Sequence, residues 1–264
     1  MNATQEPKIM PNTAPPEPNT YGTTSRVVQC HTCGASVVVP VLTGYAVPWN
    51  NSLVSCPTCA ARESAAEARR RECERLDQRI TELVALGDYS DATRRCWFKR
   101  SNPAVESRNP TAWQAIRAWD GGQNLFLFGP PGTGKTHAAR CILNRWLARR
   151  RTVAEISSRR VFKADRLFDD RGALKRWQAV DVLLLDDIDK ARWTEDALGA
   201  LWELVDARCS NDVRTICTAN VAWPALGELL AAGSPHNSAL AESIASRISP
   251  AKLEFAGDDL RRVN

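Results

Sequence analysis

Apolar and polar positions change rhythm three times along the chain. Residues 1–25 are rich in Pro, Asn and Thr and poor in large apolar side chains. Such a stretch cannot bury enough surface to order itself, so a disordered tail is expected there. Residues 26–60 carry short β-branched runs such as SVVVPVL between two cysteine pairs, which predicts a small β module. From Ala61 to Leu86 the sequence is charge-dense and free of Gly and Pro. Cys73, Leu76, Ile80, Leu83 and Leu86 recur there at helical spacing, with Glu67–Arg71 and Arg70–Glu74 at i,i+4. Gly87 is a natural stop. The region 61–100 therefore reads as a charged linker helix with one narrow apolar stripe.

Beyond Asn102–Pro103 the pattern alternates. Apolar runs LFLF (125–128), VAEI (153–156), VLLL (182–185), TICTA (215–219) and LEF (253–255) are separated by helical stretches. Between the first two, Ala138, Ala139, Ile142, Leu143, Trp146 and Leu147 line one helix face. Strands alternating with helices predict an α/β domain over 101–264, a parallel sheet with helices on its faces.

Composition narrows the class only modestly. The chain is 44% apolar and 25% charged, ordinary for a soluble globular protein. No apolar run approaches the ~18 residues of a membrane helix, and the first residues lack the basic and apolar regions of a secretory signal. A cytoplasmic protein with no membrane partner is expected. The net charge of +5 is carried mostly by arginine, whose fork suits phosphates and carboxylates. Nine cysteines in that setting favour metal binding or plain burial over disulfides.

The chemistry concentrates in GPPGTGKTH, residues 129–137. Gly129, Gly134, Lys135 and Thr136 fit G-x-x-x-x-G-K-[ST], with Pro130, Pro131, Gly132, Thr133 and His137 completing the loop. Glycines let backbone N–H groups turn toward phosphates, Lys135 reaches the β/γ oxygens, and the Thr136 hydroxyl ligates Mg²⁺. An apolar strand leads in and an amphipathic helix leads out, whose N-terminus favours an anion. VLLLDDID then reads as a buried strand ending in acids. Asp186 is placed for the Mg²⁺ shell and Asp187 to polarise an attacking water, with Asp189 free to cap the next helix. TAN at 218–220 ends another strand, and Asn220 is a candidate to orient that water or touch the γ-phosphate.

Together these residues resemble the AAA+ ATPases, and within them the helicase loaders of the DnaC/DnaI type and the IstB-type transposition helpers. The resemblance runs from about Tyr89 to Arg262 and includes RNPTAWQAIRAW, GPPGTGKTHAAR, LLLDDID, TAN and LAESIASRI. It implies an AAA+ P-loop NTPase using ATP and Mg²⁺. It also implies an arginine finger at Arg247, inserted into a neighbouring subunit's site and hence self-association through the ATP site. The position four residues before it, where relatives often carry another arginine, is Ser243. The chain ends 17 residues after Arg247, which implies an absent or truncated lid, with Arg261 as a further nucleotide contact.

CHTC at 30–33 and CPTC at 56–59 are separated by 22 residues. Two such knuckles predict a zinc ribbon in which Cys30, Cys33, Cys56 and Cys59 hold one tetrahedral Zn²⁺. The segment between them has no Lys or Arg, which favours a protein over a nucleic acid as its partner. The resemblance implies a replicative helicase hexamer there. Basic clusters lie at Arg94–Arg100, at Arg149–Arg151, and at Arg159, Arg160, Lys163 and Arg166. The last follows the second strand of the domain, where related loaders contact single-stranded DNA. The resulting expectation is an ATP-dependent loader of a replicative helicase onto single-stranded DNA, bacterial or phage. The alternatives are an IstB-like transposition helper and an ATP-sensing adaptor with little hydrolysis.

Overall fold

The computed structural model describes residues 23–42, 54–161, 171–232 and 235–260. The predicted N-terminal tail up to residue 22, the candidate DNA residues Lys163 and Arg166, and Arg261 lie outside the described residues. The chain divides into two compact units, Met1–Glu72 and Cys73–Asn264.

In the first unit, β1 (Thr23–Gln29) pairs antiparallel with β2 (Ser36–Leu42), and Val27 faces Val38 across the pair. The turn between the strands carries Cys30 and Cys33. The second cysteine pair opens α1 (Pro57–Ala85), which begins four residues earlier than the Gly/Pro-free stretch predicts. Pro57 explains the difference. Its fixed φ suits the first helical position, where no N–H is needed.

α1 continues into the second unit, where Ile80 and Leu83 are buried while Cys73 and Leu86 at the ends of the predicted stripe are exposed. Here the order is α2 (Pro110–Ala118), β3 (Leu125–Phe128), α3 (Lys135–Ala148), β4 (Val153–Ser157), α4 (Arg171–Ala179), β5 (Val182–Asp186), α5 (Glu195–Ser210), β6 (Arg214–Ala219), α6 (Trp223–Ala231), α7 (Ser238–Ile248) and β7 (Ala251–Glu254). The five strands form one parallel sheet in the order β4-β5-β6-β3-β7. Both its faces are covered, which is why its strands read as unbroken apolar runs. Phe126, Leu183, Leu185 and Cys217 point into one core with α5, α6 and α7. Leu125, Leu127, Val182, Leu184 and Ile216 point into the other, with α2 and α3.

This order places β6 between β3 and β5. The loop after β3, the acids ending β5 and the asparagine after β6 thus share one edge of the sheet, outside the carboxyl ends of the strands, where ligands of such sheets bind.

The segment after β7 closes over the loop after β3. Phe255 N–H donates to Phe128 O at 2.8 Å, and Leu260 N–H to Gly132 O at 3.2 Å. Asn109 clamps it from α2, accepting from Ala256 N–H at 2.7 Å and donating to Ala256 O at 3.1 Å. A Cβ on Gly129, whose φ is +135°, would lie 1.9 Å from the Phe255 carbonyl oxygen. Gly129→Ala is therefore expected to destabilise the domain by about 3 kcal/mol, because backbone on both sides must move. Thermal unfolding checks it.

Candidate functional site

The helix α3 begins on Gly134, whose φ of +99° turns the chain out of the loop and into the helix. Lys135, the first helical residue, is 5% exposed. Its Nζ is held inside the loop, donating to Gly129 O at 2.8 Å and Pro130 O at 2.6 Å. Thr133 Oγ1 also donates to Pro130 O, at 2.9 Å. The loop borders a cavity of about 570 Å³. Pro131, Gly132, Gly134, Lys135, Thr136 and His137 form one wall, and Asp187, Lys190 and Asn220 another.

Beside Thr136, Asp186 Oδ1 accepts from Thr136 Oγ1 at 2.8 Å and from Thr218 Oγ1 at 2.7 Å. Burial raises the Asp186 carboxyl above its ordinary range, against the pull of these two hydrogen bonds. Two adjacent ligands of an octahedral Mg²⁺ at ~2.1 Å lie about 3 Å apart, so the Thr136–Asp186 spacing fits such an ion. Asp187 adopts a left-handed conformation, φ 55° and ψ 51°. It is fixed there by Asp187 N–H donating to Thr218 Oγ1 at 2.9 Å and by Ser158 Oγ donating to its carbonyl. Asn220 follows β6 and donates from Nδ2 to Asp189 Oδ2 at 3.0 Å. Burial and the nearby Arg140 keep the His137 imidazole below its usual pKa, and its Nε2 lies 3.2 Å from Ser101 Oγ.

Several residues that build the site carry no local motif. Arg100, Asn102, Val105 and Leu260 line the cavity, so Arg100, grouped with Arg94 as a basic cluster in the sequence, is an exposed residue at the cavity wall. Arg94 pairs with Asp77 at 3.4 Å. Arg140 on α3 reaches Glu155 on β4 at 2.6 Å and approaches Asp186 Oδ2 at 3.9 Å. No signal in the sequence singled out Arg140. Arg247, in the last turn of α7, is not part of this cavity. Its guanidinium lies 4.3 Å above the Trp202 ring and 3.6 Å from Asp206. Arg159 is exposed just after β4, and the Arg160 side chain lies outside the described residues.

The four cysteines of the first unit converge. Their sulfurs all lie within 4.8 Å of one another, with Cys33 and Cys56 at 3.7 Å. A tetrahedral Zn²⁺ with ~2.3 Å bonds sets its thiolates about 3.8 Å apart, so the cluster fits that ion. The Cys56 N–H, donating to Cys30 Sγ at 3.2 Å, leads the contacts that hold the Cys30 thiol down at about 6. Hydrogen bonding to Cys33 leads the causes that push Cys59 up to about 12. A dication relieves that crowding of sulfurs by taking up the negative charge. Glu63 on α1 staples the two cysteine turns, accepting from Thr32 Oγ1 at 2.7 Å and Ser55 Oγ at 2.9 Å. Cys56→Ser is expected to cut bound zinc by at least about tenfold and to loosen residues 23–60 while leaving the ATPase unit folded. Metal analysis with limited proteolysis checks it.

A glycine cradle at a helix N-terminus, an acid-tipped strand and an asparagine-tipped strand on one sheet edge define an AAA+ P-loop domain, an ATP-binding and hydrolysing enzyme. Residues 125–233 match the AAA family, the ATPase family associated with various cellular activities. Protein YdaV of Escherichia coli K12 is 27% identical over 183 residues, 64% of this chain and 74% of that protein. An insertion-sequence protein of Mycobacterium tuberculosis, named for ATP binding, is 28% identical over 167 residues, 61% of each chain. The crystal structure of the DnaC helicase loader shares the fold, with a TM-score of 0.50 at 20% identity, over 63% of this chain and 100% of that one. The chain thus spans less than two thirds of the length of the insertion-sequence relative. Among the described residues no helix is long and apolar enough to cross a membrane.

Proposed function

We propose that this chain is a DNA-directed helper ATPase that assembles side by side with copies of itself and prepares DNA for another protein. The sequence likeness to insertion-sequence ATP-binding proteins favours a transposition helper, which readies target DNA for a transposase. In the proposed chemistry Lys135 and the loop N–H groups bind the phosphates, while Thr136 and Asp186 hold Mg²⁺. The ion supplies charge neutralisation at the phosphate oxygens. Asp187 polarises the attacking water, Asn220 orients it, and Arg247 of one copy completes the site of the next. Arg159, Arg160, Lys163 and Arg166 contact single-stranded DNA through phosphates, a salt-sensitive and sequence-blind mode.

One observation supports a second reading as a helicase loader. Val27 and Val38, paired across the hairpin of the four-cysteine unit, are 64% and 66% exposed. An apolar, uncharged patch of this kind suits a protein partner, which in the loader reading is the replicative helicase hexamer. Co-purification of the full chain from its own cells distinguishes the two. Recovery of a transposase supports the helper, recovery of a replicative helicase supports the loader, and ATP turnover unchanged by any DNA contradicts both.

A further inference from the structure

Asp189 sits two residues beyond the acid pair, and a helix cap is its simplest use. The structure gives that task to another residue. Thr194 is the N-cap of α5, its Oγ1 accepting from Ala197 N–H at 3.3 Å. Asp189 instead turns inward, its side chain only 4% exposed, and meets two groups of the cavity wall. Its Oδ2 accepts from Asn220 Nδ2 at 3.0 Å and lies 3.2 Å from Lys190 Nζ. Its Oδ1 is buried with no hydrogen-bond partner among the described residues. Burying a carboxylate is costly unless it is well paired.

What the carboxylate does control is the Asn220 amide. An amide offers a donor end and an acceptor end, and the two exchange places by a half-turn about one bond. A carboxylate only accepts. With Asp189 beside it, the amide nitrogen must face the carboxylate, because the reverse orientation sets two oxygens against each other. The amide oxygen and the remaining N–H are then fixed relative to the cavity that Asn220 lines.

We infer that Asp189 is a positioning residue for ATP hydrolysis, locking the Asn220 amide so that its oxygen is the acceptor offered to the attacking water. The inference rests on the reading of Asn220 as the water-orienting group. Removing the lock leaves ATP binding intact and lets the amide sample the unproductive orientation.

The test compares full-length Asp189→Ala, Asp189→Asn, Asn220→Ala and the double variant Asp189→Ala/Asn220→Ala. Each is measured for kcat, KM and the affinity of a fluorescent ATP analogue. Asp189→Ala is expected to lower kcat about tenfold with analogue affinity within about twofold of the parent. Asp189→Asn offers Asn220 a donor end as well as an acceptor end, so it no longer forbids the reverse orientation, and its kcat is expected between those of Asp189→Ala and the parent. The double variant should be no slower than Asn220→Ala, since both changes remove one function. Parent-like kcat in Asp189→Ala, or multiplying effects in the double variant, would each overturn the inference. If Asp189→Ala does not fold, Asp189→Ser replaces it. Its hydroxyl is too short to reach Asn220, so the same loss is expected. A parent-like Asn220→Ala overturns the role of Asn220 itself. A slow Asn220→Ala beside a parent-like Asp189→Ala overturns only the positioning.

Discussion

Lys135→Ala is expected to lower ATP turnover by about 10³-fold, to the edge of detection in a phosphate-release assay. Lys135 is the cation seated inside the loop, 5% exposed, at the N-terminus of α3. A charge this buried is screened little by water, so its loss removes transition-state stabilisation that no neighbour replaces. Lys190 also lines the cavity, but it is turned to Asp189. Arg140 is engaged by Glu155. Lys135 Nζ donates to the loop carbonyls of Gly129 and Pro130, so the change falls within the phosphate loop itself. A circular-dichroism melt separates lost chemistry from lost fold.

Arg247→Ala is expected to reduce turnover by about 10³-fold as well, at the lower end of what an arginine finger contributes. Unlike the lysine change, it should leave ATP affinity unaltered, because Arg247 is not part of its own chain's cavity. In place the side chain stacks on Trp202 and pairs with Asp206, half exposed at the end of α7. Losing those contacts costs about 1 kcal/mol of stability. A purely structural Arg247 would therefore shift the melting temperature by a few degrees and leave the rate alone. The proposed role predicts the opposite pattern, read by turnover and nucleotide titration on the same preparations.

Much of the ATPase fold was legible because its signals are local. LFLF and VLLL coincide with β3 and with all of β5 but Asp186, since a parallel strand buried on both faces must be apolar throughout. The phosphate loop is likewise a contiguous word. What escaped is set by residues far apart. The need for glycine at 129 comes from the carbonyl of Phe255, and the Asn109 clamp reaches 147 positions along the chain. Nothing near Arg100 in the sequence shows that this exposed arginine borders the cavity. Asp189 looked like a cap because caps and pocket residues share the same letters. Its partner, Asn220, lies 31 positions away, just after β6. The four cysteines carried their own spacing, yet only the structure shows that the second pair opens a helix.

If the ATP site is completed by a second copy of the chain, mixing two inactive variants restores hydrolysis. Lys135→Ala lacks a working cradle but keeps Arg247, whereas Arg247→Ala keeps the cradle and lacks the finger. Mixed in equal amounts, two inactive preparations should regain about a quarter of the parent ATPase rate, the fraction of head-to-tail contacts that unite an intact Lys135 with an intact Arg247. A mixture as inactive as its components, at concentrations where the parent hydrolyses ATP, would contradict the account.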